Sequence, residues 1–135
     1  MLDRQALCAG LQFFRIDHDS PLGRWSFVGA RPSGPLGEAV ELFWTLDAED
    51  SYTRELIFPR AATELMFTLG APGKLHRAAG VEAFPRSWIS GLQLAPLDVE
   101  SAADAKLAAI RFRPGGGRPF FGLSPAELTG RVAVE

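Results

Sequence analysis

One stretch, Ile110-Arg111-Phe112-Arg113-Pro114-Gly115-Gly116-Gly117, narrows the choice of fold more than any other part of this chain. Lys106 to Arg113 reads as a strand. Pro114 ends its ladder, because proline has no N–H to donate. The glycines behind it admit a tight bend with φ of either sign. After Arg118-Pro119-Phe120-Phe121-Gly122-Leu123 comes Ser124-Pro125-Ala126-Glu127-Leu128, which has the form of a helix start. Ser124 is placed as N-cap, Pro125 as first helical residue, and Glu127 closes a capping box. A strand, an elbow at Pro114, Gly115 and Gly116, and short C-terminal helices close a domain better than they build an active site.

Upstream the pattern is mostly β. Residues 1–24 are an extension of ambiguous structure: Arg4 to Leu11 suits a short helix, Leu11 to Ile16 a strand, and Asp17 to Gly23 a turn. Strands are expected at Trp25–Val28, Glu38–Leu46, Tyr52–Phe58, Thr63–Leu69, Leu75–Ala78, Ser87–Ser90, Pro96–Ser101 and Lys106–Arg113. Val40, Leu42, Trp44 and Leu46 alternate onto one side of theirs. Arg31 to Gly37, with two prolines and two glycines, is expected as a loop, and Asp47 to Ser51 as an acidic turn. The last two strands are expected to form a hairpin around Ala102–Ala105. Short strands punctuated by turn signals predict a mainly β fold, a β-sandwich or small barrel, over residues 25–113, with the elbow and C-terminal helices over 114–135.

With 135 residues the chain fits a single domain. A hydrophobic fraction of 47% and a mean hydropathy of +0.05 suffice for a core. The net charge of −2 and pI near 5.7 argue against a surface that grips phosphates. Arg111, Arg113, Arg118 and Arg131 are the local exception, but no DNA-reading motif accompanies them. Cys8 is the only cysteine, so there is no intrachain disulfide. Leu7 to Phe14 lacks the flanks of a signal peptide, and no apolar run is long enough for a membrane span. The expectation is a cytoplasmic protein without membrane contact.

Several blocks resemble the N-terminal domain of AraC-type transcription regulators. The tail AAIRFRPGGGRPFFGLSPAELTGRV is similar to the end of that domain. So are ELFWTLD at Glu41–Asp47, FPRAATELMFTLG at Phe58–Gly70 and SWISGLQLAPL at Ser87–Leu97. The resemblance covers about three quarters of the chain, from near Phe27 to Val134. It implies a cupin-like jelly roll followed by short helices, and a regulatory role in sensing a small-molecule effector or holding a homodimer. DNA would be bound only through a helix-turn-helix domain that these residues do not include. The alternatives are a small cupin-type enzyme and a structural or interaction module.

The search for chemistry is largely negative. Many cupins hold a metal through clustered histidines and a glutamate. Here only His18 and His76 are present, far apart, while a catalytic zinc site takes three ligands and an open position. Cys8 and the serines lie in no nucleophile motif. Gly115-Gly116-Gly117 lacks the Lys-Ser/Thr of a phosphate loop. The expectation is therefore no enzyme, no metal and no cofactor.

What remains is a ligand pocket. Trp44, Glu64, Phe67 and Trp88 are its candidate residues, with Phe112 a further wall. Glu64 shares its side of the strand with Met66 and Thr68. It either faces solvent or points inward, paired with Arg111 or Arg113, because a buried carboxylate must be paired or protonated. Arg111 and Arg113 alternate onto one face, opposite Ile110 and Phe112. If the apolar pair fills the core, both arginines face outward and hold the C-terminal helices; if the barrel takes an anion, that face is the inner one. The outward reading is favoured, since burying two guanidiniums without two partners is costly. Leu123, Leu128 and Val132 are the apolar positions of a C-terminal helix that either dimerises or packs on this chain's own barrel.

Overall fold

A computed structural model describes residues 10–50, 54–57, 62–102, 104–122 and 132–133. The chain is a mainly β, cupin-like jelly roll built from two antiparallel sheets. The larger has seven strands in the order β1-β2-β3-β10-β5-β8-β11. These are β1 (Leu11–Ser20), β2 (Gly23–Pro32), β3 (Val40–Asp50), β5 (Thr63–Thr68), β8 (Ser87–Ser90), β10 (Asp104–Phe112) and β11 (Val132–Ala133). The smaller, in the order β4-β9-β6-β7, comprises β4 (Arg54–Ile57), β6 (Lys74–Arg77), β7 (Gly80–Ala83) and β9 (Leu97–Glu100). The described residues also hold two short helices, α1 (Gly34–Ala39) and α2 (Arg118–Phe121). Among the described residues no helix is long and apolar enough to cross a membrane.

The inner face of the large sheet carries the core. Leu42, Trp44 and Ala109 are its buried centre, with Phe14, Phe27, Leu46, Met66 and Leu107 packed against it. Register explains the grouping. Phe14, Gly29, Trp44, Ala109, Met66 and Trp88 lie in one cross-strand row, and side chains opposite one another pack together. Gly29 belongs in that row for space: a Cβ there would meet the Phe14 ring at 2.3 Å.

Several boundaries differ from the sequence expectation. Leu11–Ser20 pairs along its whole length with Gly23–Pro32, so β1 and β2 form one hairpin and a division at residue 24 would cut it. Its reversal is confined to Pro21-Leu22, where the Leu22 N–H donates to Ser20 Oγ at 3.2 Å. The acidic residues Asp47, Glu49 and Asp50 continue β3, and Arg31–Gly37 splits between the end of β2 and the start of α1. Leu97–Glu100 and Asp104–Phe112 do not pair as a hairpin; they belong to different sheets, with the chain crossing between them. Val132 lies in a strand opposite Ser90, not in a helix. The helix start at Ser124, with Leu123 and Leu128, lies outside the described residues.

The elbow forms, and it grips α1. Gly115 has φ +74°, open to glycine at little cost. Gly116 passes so close to α1 that a Cβ would meet the Ala39 carbonyl oxygen at 2.1 Å. The Arg113 N–H donates to that same oxygen at 2.9 Å, and Arg113 Nε donates to the Gly37 carbonyl at 2.6 Å. Beyond the bend Phe120 and Phe121 close on Phe112, with ring centroids 5.3 and 5.1 Å away.

Candidate functional site

The pairing of β10 with β3 shifts between Arg111 and Phe112, so Leu42 faces Arg111 and Val40 faces Phe112 while Glu41 is skipped. An extra residue of this kind is a β-bulge. It moves Val40 away from the side of Leu42, Trp44 and Leu46, on which the sequence pattern had placed it, and seats it beside Phe112. Both Val40 and Phe112 are buried, below the elbow. Arg111 stays on the inner face, directly opposite Glu64 of β5.

Glu64 is the one buried charged residue among those described, 9% exposed. Trp44 Nε1–H donates to its Oε2 at 2.7 Å, and Arg111 Nε lies 3.4 Å from the same oxygen. The arginine contact is an ion pair without hydrogen-bond geometry, because the Nε–H has no acceptor in line. The outward reading of Arg111 is therefore corrected. Alternation did place Arg111 and Ile110 on opposite faces, but the apolar residue took the outer one: Ile110 lines a depression there with Phe13, Phe43 and Phe67. Arg113 lies past the end of β10 and is freed from its alternation, which sends it to α1.

Between the sheets lies a cavity of about 640 Å³. Trp44, Glu64, Met66 and Trp88 line it from the large sheet, Ile57, Leu97 and Val99 from the small one. Phe84 stacks on Trp88 at 4.6 Å and walls one end. Ser90, Gln93 and Lys106 add polar groups, and Glu55 points in from β4. Of the four residues proposed from sequence, three meet here. Phe67 does not, because it is one step out of phase with Glu64 and Met66 and so lies on the outer face. Phe112 is likewise elsewhere, under α2. Sequence reasoning missed Phe84, Leu97 and Val99. Only the topology, which lays β9 and the loop before β8 over the large sheet, brings them in.

The lining does not suit a cupin-type metal. Its buried carboxylate is held by an indole and a guanidinium, and neither histidine reaches it. His76 pairs with Glu100 at 3.2 Å on the small sheet, and His18 stacks on Trp25 at 4.9 Å. Among the described residues no three His, Cys, Asp or Glu side chains converge on one point.

Two solved structures are similar to this fold. FeII HppE is similar at 14% identity over 75% of this chain and 57% of its own, with a TM-score of 0.50. The S161A mutant of Bacillus subtilis oxalate decarboxylase OxdC is similar at 12% identity over 90% of this chain and 40% of its own, with a TM-score of 0.43. The chain thus spans less than two thirds of either neighbour. No curated protein sequence matches it. The expectation that the chain is no enzyme is overturned, since the fold it shares with FeII HppE is one that carries cupin enzymes. At that identity the likeness establishes the fold and assigns no activity. Residues 29–133, from the middle of β2 to the end of β11, match the domain of unknown function DUF6597, and the chain belongs to that family.

Proposed function

We propose that this is a ligand-sensing regulatory domain whose effector is a small, largely apolar molecule held between the two sheets. The observation that carries the reading is Glu64. A carboxylate placed in an apolar cavity is costly unless its bonds are met. Here one oxygen, Oε2, takes both protein partners, Trp44 and Arg111. The other accepts no hydrogen bond among the described residues and belongs to a side chain that lines the cavity. Arg111 already balances the charge, so the cavity asks for a hydrogen-bond donor, a hydroxyl or an amine, on an apolar body. A cavity of about 640 Å³ lies in the range of small-molecule sites.

The regulatory part of the proposal rests on the resemblance of four blocks of sequence to the N-terminal domain of AraC-type regulators. The elbow supports it, since β10 carries Arg111 against the cavity-lining Glu64 and leads directly to Arg113 on α1. In this proposal DNA is read by an attached helix-turn-helix domain, and a homodimer would match paired half-sites.

Tryptophan emission tests the binding step, because Trp44 and Trp88 both line the cavity. Titration with a panel of apolar alcohols and amines should give a saturable change. Leu97→Trp, which fills the space, should abolish it while leaving the fold intact. No saturable response across the panel, or an equal response in the filled variant, rejects the cavity as a binding site. Conversion of the bound molecule during the titration would move the assignment from sensor to enzyme.

A further inference from the structure

We propose a second binding site, for an organic carboxylate with an aromatic or other flat apolar body, on the half of the large sheet that the small sheet does not cover. A depression of about 530 Å³ lies there. Phe14, Trp25 and Phe27 form its floor, and Arg31, Arg111 and Glu41 supply its charges. No residue of β4, β6, β7 or β9 lines it.

Arg31 is the first reason to expect an anion. Its Cζ sits 4.5 Å above the centre of the Phe14 ring. The stacked face of the guanidinium is used, while the in-plane N–H donors remain at its edge. Arg31 makes no ion pair or hydrogen bond among the described residues. Arg111 is the second reason. Its Nε comes within 3.4 Å of Glu64 without hydrogen-bond geometry, and its guanidinium donates no hydrogen bond among the described residues. Two guanidinium forks around one aromatic floor match a carboxylate, which accepts paired N–H donors in a plane.

Glu41 is the opposing charge, and it makes the proposal testable in sign. The β-bulge brings this residue to the same side as Leu42, where it lines the depression with both arginines. It is exposed and forms no ion pair with either among the described residues. A bound carboxylate would be repelled by it. Removing Glu41 should therefore tighten binding, while removing Arg31 should weaken it.

The site is separate from the cavity between the sheets: Arg111 lines this depression and its partner Glu64 lines the cavity. An aromatic relay joins them: Phe14 to Phe27 at 6.0 Å, Phe27 to Trp44 at 5.5 Å.

Isothermal titration with benzoate, against benzamide as the uncharged control, tests the proposal. The expected result is saturable benzoate binding and no benzamide binding. Arg31→Gln, an exposed position that leaves the fold intact, should weaken benzoate about tenfold, the loss of one charge-assisted pair. Glu41→Gln should tighten it. Leu97→Trp, which blocks the other cavity, should leave it unchanged. An unaltered affinity in Arg31→Gln, equal binding of benzamide, weaker binding in Glu41→Gln, or no saturable binding in the intact protein overturns the site. Loss of benzoate binding in Leu97→Trp does so too, by placing the ligand between the sheets.

Discussion

The Glu64–Arg111 pair of the large sheet and the Arg54–Asp98 pair of the small one join the same two kinds of group in opposite surroundings. Arg54 and Asp98 have side chains 52% and 35% exposed, and they meet through two hydrogen bonds, of 3.2 and 2.6 Å. The side chains of Arg111 and Glu64 are 20% and 12% exposed, yet they come no closer than 3.4 Å and make no hydrogen bond. The better geometry is at the surface, where water and salt leave such a pair with little worth. The poorer geometry is inside, where removing one partner strands a charge. A buried pair shaped for stability would be expected to meet through two bonds. This one leaves the Arg111 Nε without a hydrogen-bond partner, while Glu64 lines the cavity and Arg111 the neighbouring depression.

The largest effect should follow Arg111→Met. It leaves the Glu64 carboxylate buried with only the Trp44 indole, and the expected loss is about 3 kcal/mol, at the low end for breaking a buried pair. Urea denaturation measures it. The double variant Glu64→Leu/Arg111→Met should recover most of that loss, because a buried pair replaced by apolar groups is often neutral. A loss below about 1 kcal/mol for the single variant would place the pair in the same class as its surface counterpart and break the comparison.

Next in size is Trp44→Phe. It removes the 2.7 Å donor to the buried carboxylate and should destabilise by about 2 kcal/mol, as expected for a hydrogen bond to a charged group. Because Trp44 and Arg111 share Oε2, their losses should not add. A double-mutant cycle giving strict additivity would mean that the two donors act on Glu64 independently.

How far the site was legible in the sequence follows from what alternation can and cannot say. Trp44, Glu64 and Trp88 were found because an acid in an apolar strand, and indoles on strands, are visible in one dimension. Phe67 was misplaced although its spacing from Glu64 already put it on the other face. Arg111 and Ile110 were separated correctly, but which face is inner depends on which strands lie across it. The bulge at Glu41 was invisible too: a single skipped residue decides where Val40 and Glu41 point, and no sequence motif marks it. The fold class was easier, because turn residues punctuate nearly every strand. Its errors come from polar strands. In β1, Arg15, Asp17, His18 and Asp19 are all exposed. That composition mimics a turn, although the backbone is paired throughout. The crossing between β9 and β10 looked like a hairpin because a short connection of small residues serves either purpose.

The smallest effect belongs to the surface pair, and it should depend on pH. The hydrogen bond from Arg54 holds the Asp98 carboxyl below its ordinary value of 3.8 against the opposing effect of burial, with further help from the charges of Arg54 and His76. A carboxyl with a depressed folded-state pKa binds its proton less readily in the native protein than in the unfolded chain. The stability it contributes is therefore present above the ordinary value and is lost as pH falls through the folded one. Asp98→Asn should lower the melting temperature slightly at pH 7, by less than Arg111→Met or Trp44→Phe. The gap from the parent protein should close as the pH falls below the ordinary carboxylate range and the parent carboxyl itself takes up its proton. Added salt should narrow the gap at pH 7, since an exposed pair is screened. A gap that stays constant through the acid range would show that Asp98 acts through packing or its neutral hydrogen bonds. The contrast between the two pairs would then rest on burial alone.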